Sequence, residues 1–384
     1  MGELPYTVFS LGDVMLHQIH TDKGKFFVMS EVSHNLFHEN ATVFAKELRA
    51  GRYSKLNSLS PEVMHTASVL GMPPEPGAQG TTLLSADTVE TLLIDRRQAE
   101  MVQPFRLALL KLASQESARL MAAGEYELAL PVALDAVKQG QALFKPAPAL
   151  QLFPLYLLAA QANLGLKRAK QCEDFLGLAS WLALKEPEAT NNVMRSQLSR
   201  LFGQLYALQG KHEEALQAFA EDVYYCAQEY GPEDVRTSLG YYNLSKVFQS
   251  RGQMAKSLAF NDMVMHIWSS AMNTLVLNEE PKTHAKHTDM PIGRSQLLEV
   301  VAMLQDICVL RKQALGPAEL SVGDTHFTSA MVLLHVGETL RAREQLDAAN
   351  NVFRDSDEER SRLMQAAIDI LQRIENGEPD MYQE

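Results

Sequence analysis

The chain is poor in cysteine and aromatic residues: 384 residues contain three cysteines, two tryptophans and 7% aromatics. Cys172, Cys226 and Cys308 are odd in number, widely spaced, and each set inside an apolar helical pattern. This excludes a disulfide framework and points to small buried hydrophobes in a reducing compartment. No apolar run approaches the ~18 residues of a membrane span, so no membrane partner is expected. Positive charge is also scarce. A formal net charge of −12 and a pI near 5.5 argue against bulk attraction to nucleic acid or to an anionic membrane surface. The stretch 1–18 carries Glu3 and Asp13 but no basic leader, so no secretory signal is expected. A Gly-rich phosphate loop, a nucleophile elbow and a paired-carboxylate signature are all missing. Together these absences leave a non-enzymatic protein of the cytosolic side, with no cofactor.

What is present is a repeat. Residues 201–220 carry Gly203, Tyr206, Gly210, Ala215 and Phe219 at the spacings of a tetratricopeptide hairpin. Small residues at 203 and 215 let two helices approach, Tyr206 and Phe219 fill the space beside them, and Gly210 serves the turn, where positive φ is expected. The same offsets recur at Ser117, Leu120, Gly124, Ala129, Ala133 and Ala136, and more weakly at Ala160, Cys172, Leu176 and Ala179. Further on come Ser245, Phe248, Gly252 and Ser257, then Ala330, Leu333, Gly337, Ala342, Leu346 and Ala349. The small-residue marker steps by 43, 43, 42 and 85, a period near 42 with one unit skipped. That exceeds the ~34 residues of the ordinary repeat. Inter-repeat turns are read at Gly231-Pro-Glu-Asp and Gly316-Pro-Ala-Glu, each 14 residues before a marker. Glycine there is expected to give a left-handed cap, proline to stop the helix, and Asp234 or Ser238 to cap the next one. The expected fold is an all-α solenoid of long hairpins.

The remainder is divided as follows. Residues 1–90 are expected to form an irregular N-terminal arm, partly extended and ordered only on a partner, with a helix over 33–49 and a linker at 72–80. Residues 91–276 hold the main repeats, with one or two helices over 85–123 leading in. Residues 277–292 form a polar, proline-containing loop insertion, 293–373 the C-terminal repeats with a helix over 294–315, and 374–384 a flexible acidic tail.

Three histidine pairs, at 17/20, 34/38 and 284/287, have spacings that could share a helix face. None has the further ligands a zinc site needs, so they read as surface or partner-facing histidines and no metal is expected. The acidic run 355–360 reads as a solvated helix face. Trp181 and Trp268 read as packing anchors, with an interface role as the alternative. The first helix of each hairpin lines the concave face, which nominates Gln197, Arg200 and Gln204 in the third unit and Tyr242, Lys246 and Gln249 in the fourth. These would make an aromatic-and-amide groove with two cations, suited to a peptide or helix with an acidic side chain. A merely solvated face fits the same residues.

The period and the Gly-Pro-Glu-Asp turn are similar to the kinesin light chain repeat, which reads a cargo peptide. Residues 150–166, 221–227 (Glu-Asp-Val-Tyr-Tyr-Cys-Ala), 230–244 (Tyr-Gly-Pro-Glu-Asp-Val-Arg-Thr-Ser-Leu-Gly-Tyr-Tyr-Asn-Leu) and 266–268 (His-Ile-Trp) more closely resemble the ciliary zinc finger MYND domain-containing protein 12 family. Residues 1–100 contain no cysteine, which excludes that family's zinc finger. The resemblance is therefore to the algal form without the finger, a docking subunit of inner arm dynein d in motile cilia. It implies residence in the axoneme. The implied partners are an inner arm dynein heavy chain with its associated subunits, a second tetratricopeptide-repeat protein, and the doublet microtubule or its associated proteins. A kinesin-light-chain-like cargo adaptor is the alternative, weakened by the lack of sustained heptads for a motor coiled coil.

Overall fold

The computed structural model describes residues 6–21, 24–38, 44, 62–64, 81–95, 99–145, 149–277, 293–353 and 358–376. They fall into two compact units, residues 1–116 with 138–146 and residues 117–137 with 147–384. The linker at 72–80, the insertion from residue 278 to 292, His284 and His287, and the tail from residue 377 lie outside the described residues.

The first unit corrects the expectation of an irregular arm. Strands β1 (Tyr6–Leu11), β2 (Val14–Thr21), β3 (Gly24–Val28), β4 (Glu62–Met64) and β5 (Thr81–Leu84) form an antiparallel sheet in the order β1-β2-β3-β5-β4. Gly12, with φ +60, opens the two-residue loop between β1 and β2, a position that favours glycine. Phe9, Leu16, Phe27 and Leu84 are buried and form one core with Val89 and Leu92 of α1 (Ala86–Asp95) and Phe105 of α2 (Ala99–Ala122). The Phe9 ring packs edge-on against Phe27 at 5.0 Å and Phe105 at 5.4 Å. This sheet unit runs on to residue 116, past the expected boundary at 90. His17 lies on a strand and its Nδ1 sits 2.6 Å from Glu31 Oε1, while His38 takes φ +55 beyond the helical turn Val32–Leu36. Neither pair occupies a regular helix. Of the helix expected over 33–49, the described residues show that turn and a helical Phe44.

The second unit is built from helical hairpins, the first of them entering it only with residues 117–137. Its helices are α3 (Tyr126–Leu143, following the end of α2), α4 (Phe153–Gly165), α5 (Ala169–Lys185), α6 (Asn192–Leu208), α7 (His212–Tyr230), α8 (Val235–Ser250), α9 (Met254–Leu277), α10 (Arg294–Leu315), α11 (Leu320–Val336), α12 (Thr339–Val352) and α13 (Glu358–Glu375). Hairpins α2/α3, α4/α5, α6/α7, α8/α9 and α11/α12 turn at residues 124, 167, 210, 252 and 337, all with φ between +58 and +82. In every one the following residue donates its N–H to the carbonyl five positions back at 2.9 Å: Glu125 to Leu120, Arg168 to Asn163, Lys211 to Tyr206, Gln253 to Phe248 and Glu338 to Leu333. This is a Schellman-type closure that satisfies carbonyls left open at the helix end. Four of the turn residues are glycine; the second is Lys167. Lys167→Gly therefore relieves a left-handed side-chain clash and is expected to raise stability by about 0.5–1 kcal/mol, read as a higher denaturation midpoint at unchanged slope.

The packing markers fall where the period places them. Ser117, Ala129, Ala160, Cys172, Ala215, Ser245, Ser257, Ala330 and Ala342 are all buried, as is Gly203. A Cβ on Gly203 would stand 2.6 Å from the Phe219 ring, so helices α6 and α7 approach as closely as glycine permits. At the Phe219 position the neighbouring units place Ala133, Leu176, Asn261 and Leu346. The fourth hairpin is thus polar inside, and Ser257 Oγ and Asn261 Oδ1 have no hydrogen-bond partner.

The inter-repeat glycines differ from expectation. Gly231 and Gly316 have φ +105 and +102 with ψ near +154, a positive-φ extended conformation rather than a left-handed helical cap. Asp234 is the helix cap, accepting from Arg236 N at 2.9 Å, whereas Ser238 turns inward onto Val235 O. The skipped unit leaves α10 in the register of a second helix, ending at Gly316 as α7 ends at Gly231. Helix α11 then packs directly on α9, while α10 packs mainly on α11 and reaches α8 through Asp306. Leu297, Val301, Leu304 and Ile307 anchor α10 in a core shared with Trp268, Met272 and Leu333.

Candidate protein-binding site

The site begins with a buried ion pair. Asp222 on α7 is 0% exposed. It accepts Ser196 Oγ at 2.6 Å and a two-pronged contact from Arg200 Nε at 2.9 Å and Nη2 at 3.0 Å. A planar guanidinium and a carboxylate fit this geometry, which locks α6 to α7. On the next turn Arg236 donates to both oxygens of Asp234 at 2.7 and 2.9 Å and stacks 3.6 Å over the Tyr230 ring.

These two pairs border an open pocket of about 290 Å³. Val193, Gln197 and Arg200 of α6 form one wall and Val235 and Leu239 of α8 another. Gln296, Val300 and Met303 of α10 form the third, with Cys226 and Trp268 also lining it. The Trp268 indole, 1% exposed, donates to Ser238 Oγ at 2.9 Å and joins α9 to α8. Cys226 accepts from Thr237 Oγ1 at 3.4 Å, and burial pushes its thiol pKa up despite the lowering effects of that hydrogen bond and of Arg200. The lining is mostly apolar, and both guanidiniums face carboxylates. It therefore offers a slot for an apolar side chain, with amides at Gln197 and Gln296 for a neighbouring backbone.

A second depression of about 210 Å³ holds Tyr242, Lys246 and Gln249 beside Asn261 and Asp306. The Tyr242 hydroxyl donates to Asp306 at 2.7 Å, and Lys246 Nζ lies 3.3 Å from the same oxygen. Burial first, and this carboxylate second, push the Tyr242 pKa up.

The nominated residues are thus divided between two depressions. Gln197 and Arg200 line the larger; Tyr242, Lys246 and Gln249 line the smaller; Gln204, half-buried on α6, lines neither. Both nominated cations are engaged within the chain. Sequence reasoning did not reach Leu239, Val300 and Met303, because α10 meets α6 and α8 only through the tertiary fold. Trp268 is the packing anchor expected. Trp181 is not: it is 49% exposed, with the Lys185 ammonium 5.4 Å from its ring centroid. Among the described residues no three His, Cys, Asp or Glu side chains group as metal ligands, and no helix is long and apolar enough to cross a membrane.

Hairpins of one register, closed by one turn type and packed on small residues at a fixed period, define the second unit as a tetratricopeptide-type repeat solenoid. No protein-family model matches the chain. Among solved structures it is similar to BtubC (BKLC) from P. vanneervenii, with 16% identity, 68% of this chain and 87% of that one covered, and a TM-score of 0.40. It is also similar to the nearly identical TPR-like repeats of a putative kinesin light chain from Podosopora anserina, at 13% identity, 65% and 97% coverage and a TM-score of 0.35. A third is the apo form of RapI, at 11% identity, 70% and 72% coverage and a TM-score of 0.36.

Proposed function

We propose that this chain is a protein-binding adaptor of the ciliary axoneme, which helps dock a single-headed inner arm dynein, dynein d, to the doublet microtubule together with a second tetratricopeptide-repeat protein. In this reading a partner inserts an apolar side chain between α6, α8 and α10. The observation that carries it is a convergence. Of the four segments that bear the resemblance to the dynein-docking family, 150–166, 221–227, 230–244 and 266–268, the last three meet at the pocket. They supply Cys226, Tyr230, Val235, Arg236, Ser238, Leu239 and Trp268 to the lining of the one pocket. The kinesin-light-chain-like alternative has less support, because Arg200, Arg236 and Lys246 already face carboxylates that an acidic cargo peptide would have to displace.

Leu239 is 37% exposed, so a charge there disturbs the pocket wall more than the core. Leu239→Glu is expected to weaken recovery of the inner arm dynein heavy chain and the second repeat protein from axonemal extract by at least about 30-fold, about 2 kcal/mol, without changing the melting midpoint. Normal inner-arm occupancy in cryo-EM maps of axonemes from a strain lacking this chain would overturn the docking role. Undiminished recovery by a folded Leu239→Glu protein would overturn the placement of the site.

A further inference from the structure

Away from that pocket, α10, α11 and α12 bring three side chains into line. Cys308 Sγ on α10 lies 3.4 Å from His326 Nε2 on α11, and His326 Nδ1 lies 2.7 Å from Gln345 Oε1 on α12. The glutamine oxygen can only accept, so Nδ1 carries the proton and Nε2 presents a lone pair to the thiol. A nucleophile, a base and a group that orients the base thus stand in sequence, the arrangement by which a cysteine is activated. They border a cavity of about 110 Å³ that also receives Lys312, Thr325 and Ser329. That is ample room for water or a small hydroperoxide beside the thiol.

We infer that Cys308, His326 and Gln345 form a peroxide-reactive thiol site, at which hydrogen peroxide or a comparably small hydroperoxide converts Cys308 to the sulfenic acid. Sulfur attacks one peroxide oxygen, an S–O bond forms and the O–O bond breaks. The thiol proton passes to His326 Nε2 and from there to the leaving oxygen, which departs as water or an alcohol. Sulfur loses two electrons and the peroxide gains them. The Lys312 ammonium beside the cavity favours negative charge developing on the leaving oxygen. Nothing in this scheme involves a partner protein, so the site stands apart from the adaptor role.

The protonation states agree with this geometry. Burial raises the Cys308 pKa, against the lowering influence of Lys312 and Arg311 on the same helix. Burial and Lys312 lower the His326 pKa, against the raising effect of Gln345. The resting pair is therefore a neutral thiol hydrogen-bonded to a neutral imidazole. Its reactivity should not change between about pH 6.5 and 8.5, because the proton acceptor is the imidazole and not hydroxide. Cys172, buried with its pKa pushed up to about 11, should instead climb about tenfold per pH unit.

The test treats the full-length chain with hydrogen peroxide, traps sulfenic acid with a dimedone-type reagent, and reads each cysteine peptide by mass spectrometry. Cys308 is expected to react far ahead of Cys172 and Cys226, with a flat pH profile. His326→Gln is expected to slow it about 10²-fold and restore the ordinary slope. A second variant, Gln345→Ala, leaves thiol and imidazole in place and should slow the reaction by a smaller factor. Reaction of wild-type Cys308 no faster than Cys172 and Cys226, or a tenfold rise per pH unit in the wild type, overturns the inference. Neither observation depends on a variant folding. An unchanged rate in a folded His326→Gln protein overturns it as well.

Discussion

Replacing Asp222 with alanine is expected to destabilise the repeat unit by about 3–5 kcal/mol, measured by chemical denaturation, because it strands Arg200 among buried groups. Asp222 is fully buried, and the Arg200 side chain is 22% exposed in the pair. The same substitution removes the acceptor of Ser196 Oγ. Deleting both charges should cost much less than deleting one. A folded Asp222→Leu/Arg200→Met double variant is expected to regain most of the lost stability, since a buried pair replaced by apolar groups of similar volume is often near neutral. A loss below about 1 kcal/mol for Asp222→Ala would mean that solvent reaches this pair and that it does not hold α6 on α7.

Trp268→Ala is expected to cost about 3–5 kcal/mol, the range for emptying a large aromatic site in a packed core. Trp268 is among the largest fully buried side chains and lies in the cluster shared by α8, α9, α10, α11 and α12. Its removal leaves a cavity next to the partner pocket and takes away the donor to Ser238 Oγ. Trp268→Phe separates the two effects. It keeps most of the apolar volume and loses the hydrogen bond, so about 1–2 kcal/mol is expected. If the two substitutions were equally costly, the indole N–H rather than packing would dominate this position.

The hairpins were legible because their determinants are local. Gly124, Gly210, Gly252 and Gly337 mark turns from within a few residues of the helices they end. The second turn was the faintest in sequence because Lys167 takes the left-handed conformation without being glycine. Its hydrogen bond, Arg168 N to Asn163 O, is nevertheless the same as in the other four. Small residues at 203 and 215 needed no partner information either, since the constraint is the distance between two adjacent helices.

The sheet was not legible for the opposite reason. Strand β3 pairs with β5 through Val28 and Leu83, 55 residues apart, and strands of three to eight residues leave little periodic signal. A residue pattern that reads as irregular becomes a core once Phe9, Phe27 and Phe105 meet. The nominated groove was half legible. Helical period placed Arg200, Tyr242 and Lys246 on first helices, but it could not say that Asp222 and Asp306 would claim their charges.

By itself, then, the sequence determined the repeat: its period near 42, its glycine hairpin turns and its small-residue contacts all follow from short-range backbone and packing rules. Only the tertiary structure decided where α10 goes. Helix α11 packs on α9, and α10 lies against α11 within reach of α8. That placement sets Met303 beside Leu239, Asp306 beside Tyr242 and Cys308 beside His326. Each of these meetings joins different helices, and burial of the apolar face of α10, rather than any local preference of its residues, brings them together.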